Sequence, residues 1–204
     1  MEILLALCLG ITLSAACGFR IFIPPLVMSV ATIYGDFTPA PQFVWLGTFP
    51  ALLTLAIAAT VEIAAYYIPA VDNALDLVAI PTAIAIGTAL SAATLGEIDP
   101  VLQWTIAAIA GGGSAGAVES FTSVTRLAST TMTAGLGNSV FSSVELISAI
   151  ALSLLGLFVP LLAGIVVIIV LWIGIRQTRR FWHHRRRQQA IHADQSPSTP
   201  NKNP

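Results

Sequence analysis

The hydrophobic pattern divides the chain into six apolar segments, separated by short stretches that are rich in glycine, proline and acidic residues. A membrane-spanning helix needs roughly 20 consecutive apolar residues, and each segment approaches or exceeds that length. The pattern therefore predicts an all-α, polytopic membrane protein with about six membrane segments. These are residues 3–33, 45–68, 77–95, 101–133, 139–158 and 160–175.

Two of these segments are too long for a single straight span, and each is expected to be broken. Residues 3–33 contain Pro24-Pro25, and prolines remove backbone donors inside a helix. Residues 101–133 contain three consecutive glycines at 111–113, which are poor helix formers. The stretches between segments are expected to be loops or turns: 34–43, the polar stretch 69–76, the acidic connector at 97–100, and 135–138.

A weak internal repeat also follows from the pattern. An offset of 100 residues superposes Ser14-Ala15 on Ser114-Ala115, and a shorter loop in the second half then brings Val61-Glu62 onto Val144-Glu145. Repeats over 1–95 and 100–175 would each hold three segments, so they would run in opposite directions, as in many transporters. The matching residues are common ones, which leaves coincidence as the alternative.

Composition supports this membrane class and separates a tail from the apolar domain. The chain is 56% apolar and 9% charged, with a mean hydropathy of +0.85, whereas soluble domains hold about 25% charged residues. Residues 1–175 carry two basic and nine acidic residues, and residues 176–204 carry seven basic and one acidic. The positive-inside rule then predicts a cytoplasmic C-terminus, and six spans predict a cytoplasmic N-terminus. The basic tail is expected to be disordered and to contact anionic lipid headgroups, not nucleic acid.

The candidate site consists of the polar side chains that the apolar segments would bury. Ionisable groups inside a membrane are costly and are functional hypotheses by default. Three carboxylates face two guanidiniums, and Glu62, well inside its segment, is the stronger candidate for the surplus charge. The alternative is that arginine–glutamate pairs only hold the bundle together, and Glu145 also suits the first turn of a helix. Because a guanidinium keeps its charge in a protein, Arg20 and Arg126 are each expected to have a carboxylate partner. For Arg126 the expected partner is Glu62 or Glu145, since Glu119 lies two helical turns away. The predicted site residues are Arg20, Glu62, Glu119, Ser123, Arg126, Ser129 and Glu145.

These residues favour a transporter or channel for a small ion or solute. The acidic excess favours a cation or a proton, while the two arginines keep anions open. A structural or accessory membrane protein, including a homo-oligomer, is the second function class. An enzyme is not expected, because residues 1–175 hold no histidine, no Gly-x-Ser-x-Gly motif and no metal-ligand cluster. No cofactor or metal is predicted.

Several short runs resemble a known family in order along the chain. They are SAACGFR at 14–20, VEIAAYYIP at 61–69 with Asp72-Asn73 after it, GGGSAG at 111–116, TRLAST at 125–130 and GLGNS at 135–139. Together they resemble the bacterial membrane family labelled domain of unknown function 4126, over roughly residues 3–175. The resemblance implies a bacterial inner-membrane protein and no particular activity. Glu119 departs from the pattern, because that family is associated with glutamine at this position.

Overall fold

The computed structural model describes residues 2–66, 68–96, 98–133, 138–173 and 176, and within these ranges the chain is helical with no strand. The predicted all-α class is confirmed. The helices are α1 (Glu2–Cys17), α2 (Ile23–Tyr34), a 3₁₀ helix (Pro41–Gly47), α3 (Phe49–Ala65), α4 (Pro69–Thr94), α5 (Pro100–Ile106), a π-helical segment (Ala107–Gly112), α6 (Gly113–Thr133), α7 (Asn138–Phe158) and α8 (Pro160–Ile173).

Fewer helices meet the length of a membrane span than the sequence predicts. Among the described residues, Pro100–Leu127 and Val140–Phe158 are long and apolar enough to cross a membrane. The 3₁₀ helix and α3 form a third candidate if they count as one span, although they are bent by 73°. The remaining apolar helices are shorter, at 10–17 residues. Length and composition thus indicate a membrane protein with two or three full-length spans.

The predicted break in residues 3–33 is confirmed, but it does not lie at the prolines. Helix α1 ends at Cys17 and α2 begins at Ile23, so the chain leaves the helix at residues 18–22. Pro24 and Pro25 lie in the first turn of α2, where a missing N–H costs nothing because no intrahelical acceptor is available there. These prolines therefore start a helix instead of interrupting one.

The predicted break at the three glycines is wrong. Residues 100–133 form one continuous helical stretch, in which Ala107–Gly112 is π-helical. A Cβ on Gly111 would lie 2.8 Å from the carbonyl oxygen of Gly87 on α4. Gly111 and Gly112 therefore serve the close packing of two helices, and the extra residue of the π turn is accommodated without a break.

The predicted polar turn at 69–76 is also wrong, because this stretch forms the first two turns of α4. Pro69 is the first residue of that helix, a position that proline favours. The predicted loop 34–43 is correct only for residues 35–40, since α2 ends at Tyr34 and the 3₁₀ helix begins at Pro41. Glu97, the turn residues 135–137 and the basic tail after Arg176 lie outside the described residues.

The interior of the bundle holds many polar side chains, and its surface exposes many large apolar ones. Fully buried positions include Thr12, Ser14 and Ser91, and the Ser14 hydroxyl donates a 2.6 Å hydrogen bond to the carbonyl oxygen of Gly87. Small residues allow α1, α4 and the π segment to approach closely, as is common between membrane helices. By contrast, the outer face of α3 exposes Phe49 and Ile57 by more than half. This distribution suits a lipid environment.

The chain forms two compact units, Met1–Val167 and Ile168–Pro204. The first unit holds the helices up to α7, the first half of α8 and every predicted site residue. In the second unit, the guanidinium of Arg176 lies 5.1 Å above the ring of Trp172.

Candidate functional site

The turn between α1 and α2 brings the first charged side chain into the interior. Gly18 packs directly on α6, because a Cβ at this position would lie 2.6 Å from the carbonyl oxygen of Ala115 and 2.8 Å from the backbone nitrogen of Glu119. A glycine is therefore required for the turn to approach α6 this closely. Arg20, two residues later, is only 1% exposed.

Glu62 stabilises this same turn. Its two carboxylate oxygens accept hydrogen bonds from the backbone N–H groups of Ile21, at 2.7 Å, and Phe22, at 3.0 Å. The carboxylate thus lies at the N-terminus of α2, where the helix dipole favours a negative charge. Glu62 is 6% exposed, and it joins the last turn of α3 to the break between α1 and α2.

A bidentate ion pair joins α6 to α7. Arg126 Nε donates to Glu145 Oε1 at 3.0 Å, and Arg126 Nη2 donates to Glu145 Oε2. The prediction that Arg126 pairs with Glu62 or Glu145 is confirmed. The interpretation of Glu145 as a first-turn acid is wrong, because α7 begins at Asn138 and Glu145 lies two turns further on.

Arg20 reaches the same carboxylate at a longer distance. Its Nη2 atom donates to the backbone carbonyl of Ser142 at 2.8 Å and lies 3.9 Å from Glu145 Oε2. The predicted carboxylate partner of Arg20 is therefore present, and a carbonyl makes the closer contact. The Nε and Nη1 atoms of Arg20 are buried and have no hydrogen-bond partner among the described residues.

Tyr66 is the residue that links the two arginines, and its place in the cluster was not predicted. The Cζ atoms of Arg20 and Arg126 lie 4.0 Å and 4.2 Å from the centre of its ring. An aromatic ring at this distance attracts a guanidinium through its negative face. Tyr66 stands four residues after Glu62, so helical spacing was the available signal.

The remaining predicted residues lie along α6. The Ser123 hydroxyl donates to Glu119 Oε1 at 3.0 Å, and Glu119 is 4% exposed. Ser129 is buried three residues after Arg126, hence on the same side of the helix. Thr122, which was not predicted, contacts the carbonyl oxygen of Gly18 at 3.4 Å.

The cluster therefore gathers three carboxylates and two guanidiniums from the α1–α2 turn, α3, α6 and α7. We name Arg20, Glu62, Tyr66, Glu119, Arg126 and Glu145 the charged cluster. Its buried charges make it the candidate functional site. Within the described part of the chain, no group of three His, Cys, Asp or Glu residues is arranged to hold a metal ion.

A separate surface pocket of about 640 Å³ lies at one end of the bundle, and none of its lining residues belongs to the charged cluster. Gln42 Nε2 donates to Gln103 Oε1 at 2.8 Å, and Gln103 Nε2 donates to the carbonyl oxygen of Ala92 at 2.9 Å. Asp99, also in the lining, caps α5 by accepting from the N–H of Val101. Hydrogen bonds within the protein thus occupy the polar side chains of Gln42, Asp99 and Gln103 in this pocket.

Comparison with known proteins identifies the chain at the level of a family. No curated protein and no solved structure matches it. One family model matches residues 7–180, which is most of the chain, and it includes every residue of the charged cluster. The chain therefore belongs to the family described as domain of unknown function (DUF4126).

Proposed function

We propose that this protein is a membrane transporter or channel for a small ion or solute, with the charged cluster as its intramembrane site. The observation that supports this proposal is that five buried side chains of arginine and glutamate converge at the break between α1 and α2. Interrupted helices that point their termini at a polar site are typical of transporters. Purely structural packing in a membrane is achieved by small residues, and these already fill the contact between α1, α4 and the π segment.

The proposal includes a topology of six membrane segments. α1 with α2 would form the first, the 3₁₀ helix with α3 the second, α4 the third, residues 100–133 the fourth, and α7 and α8 the last two. The two halves would be inverted repeats, with the interrupted helix in the first half only. A bacterial inner membrane and cytoplasmic termini accord with the basic tail, which would bind anionic lipid headgroups.

Energetics also favours a functional role. An ion pair buried in a low-dielectric interior often contributes little net stability, because the desolvation cost offsets the attraction. A third buried carboxylate adds a further cost that packing alone does not require. Carbonyl and carboxylate partners around Arg20 and Arg126 keep both charges in place, so a passing ion would meet a preorganised site.

The second candidate is a structural or accessory membrane protein, which could act as a homo-oligomer. The observation in its favour is that both oxygens of Glu62 and both oxygens of Glu145 accept hydrogen bonds. Carboxylates that are hydrogen-bonded in this way can link helices and stabilise the bundle. This candidate predicts a folded protein that conducts nothing.

The test is a flux measurement on the purified full chain reconstituted into liposomes. Gradients of sodium, potassium, protons, phosphate and acetate are imposed in turn, with empty liposomes as the blank. We expect flux of at least one solute, and about a tenfold loss in Arg126→Lys, which keeps the charge but loses the two-pronged contact with Glu145. Arg176→Lys, the same substitution at an exposed arginine, should transport like the parent. Folded protein without flux of any of these solutes would favour the accessory protein.

A further inference from the structure

We propose that Arg20 is an anion-binding residue, so that the solute of the charged cluster is a small anion. The transport of that anion rests on the proposed function, whereas its binding to Arg20 does not. It starts from the two nitrogens of Arg20, Nε and Nη1, that are buried without a hydrogen-bond partner among the described residues.

A guanidinium has five N–H donors, no acceptor, and a charge that it does not lose in a protein. Arg20 uses Nη2 for the carbonyl oxygen of Ser142 and lies over the ring of Tyr66. Nε and Nη1 therefore hold the donors still available on a side chain that is 1% exposed. Ligand atoms that satisfy such donors must be acceptors, and negatively charged oxygens or halides make the strongest of these bonds.

The neighbouring carboxylates do not fill this role. Glu62 accepts from the N–H groups of Ile21 and Phe22. Glu145 accepts from Nε and Nη2 of Arg126, and its distance of 3.9 Å from Arg20 exceeds a hydrogen bond. Arg20 therefore contributes a positive charge whose hydrogen-bonding capacity is only partly used.

Charge balance adds a condition on binding. The ionisable groups that interact with Arg20 are Glu62 and Tyr66 from the end of α3, Arg126 from α6 and Glu145 from α7. Glu119, also from α6, interacts with Tyr66. With three carboxylates present, an entering anion is repelled unless a proton accompanies it. Anion binding should therefore strengthen as the pH falls.

The first test is ligand binding by the unaltered full chain in a non-ionic detergent. Thermal unfolding is followed in sodium phosphate, sodium acetate and sodium chloride at one sodium concentration, at pH 6 and pH 8. We expect a saturable rise in Tm with at least one of these anions, larger at pH 6. A Tm that is indifferent to the anion at both pH values would overturn the inference.

Two variants assign the binding to Arg20. Arg20→Lys keeps the charge and one donor for the Ser142 carbonyl but loses the donors at Nε and Nη1, so the anion should bind about tenfold more weakly or worse. Arg176→Lys should bind like the parent. Equal binding in Arg20→Lys would also overturn the inference. Stabilisation by phosphatidylglycerol and not by the soluble anions, lost in Arg20→Lys, would assign the same role to a lipid phosphate.

Flux and binding separate this inference from the proposed function. Saturable anion binding at Arg20 without flux would support the inference and remove the transporter. Flux of sodium, potassium or protons without any anion binding would support the transporter and remove the inference.

Discussion

Glu62→Gln should destabilise the protein, although the substitution preserves the shape of the side chain. Glu62 accepts two backbone N–H groups, at 2.7 Å and 3.0 Å, with two oxygens. Glutamine has one oxygen, and its NH₂ group would face the second N–H donor. A buried donor without an acceptor costs about 1–3 kcal/mol. Loss of the charge at the α2 N-terminus adds to this cost, and easier burial of a neutral amide offsets it.

The expected loss corresponds to a Tm lower by roughly 3–10 °C for a chain of this size. Cys8 and Cys17 are free and buried, so a thiol-reactive fluorescent dye reports unfolding without an introduced cysteine. Glu2→Gln is the matched control, because Glu2 is exposed in the first turn of α1 and its replacement should leave Tm within about 1 °C. If Glu62→Gln melts with the parent, Glu62 does not hold the α1–α2 turn.

Two further changes test the packing and the ion pair of the charged cluster. Gly18→Ala should lower stability by about 1–3 kcal/mol, because its Cβ would lie 2.6 Å from the Ala115 carbonyl oxygen. The control is Gly113→Ala, whose Cβ would meet nothing within 4 Å and which should be neutral or stabilising in the same melt. Equal effects of the two substitutions would contradict the close approach of Gly18 to α6. Arg126→Gln should cost about 3–5 kcal/mol, because it leaves the buried Glu145 carboxylate without its main partner. The double variant with Glu145→Gln should lose less than the sum of the single variants, and strict additivity would argue against direct coupling.

The sequence was sufficient for the all-helical class, the interruption of the first segment and the polar character of the interior. It was also sufficient to single out Arg126 and to restrict its partner to two carboxylates. These successes rest on local signals: apolar segment length and the cost of burying charge. Such signals require no knowledge of which helices are neighbours.

The wrong predictions concern features that are determined by tertiary packing. The three glycines at 111–113 would weaken an isolated helix, but the contacts of Gly111 and Gly112 with α4 support a continuous π-containing helix. The hydrogen bonds of Glu62 to Ile21 and Phe22 join residues about 40 positions apart, and no spacing rule predicts them. For this reason glutamine, although it preserves the shape of the side chain, is a structural perturbation at Glu62.

The central claim, that solute and water reach the charged cluster, is tested most directly by cysteine accessibility on α7. Ser142, whose carbonyl binds Arg20, is 2% exposed, and Ser153, three turns further along the same buried face, is 0% exposed. Each is replaced by cysteine in a chain whose own two cysteines are alanine, and membrane vesicles are treated with a small charged thiosulfonate. The account predicts that the cysteine at 142 is modified and is protected by the bound anion, while the cysteine at 153 stays unreactive. Equal inertness of both sites in a folded protein would mean a sealed, close-packed cluster and would contradict the account.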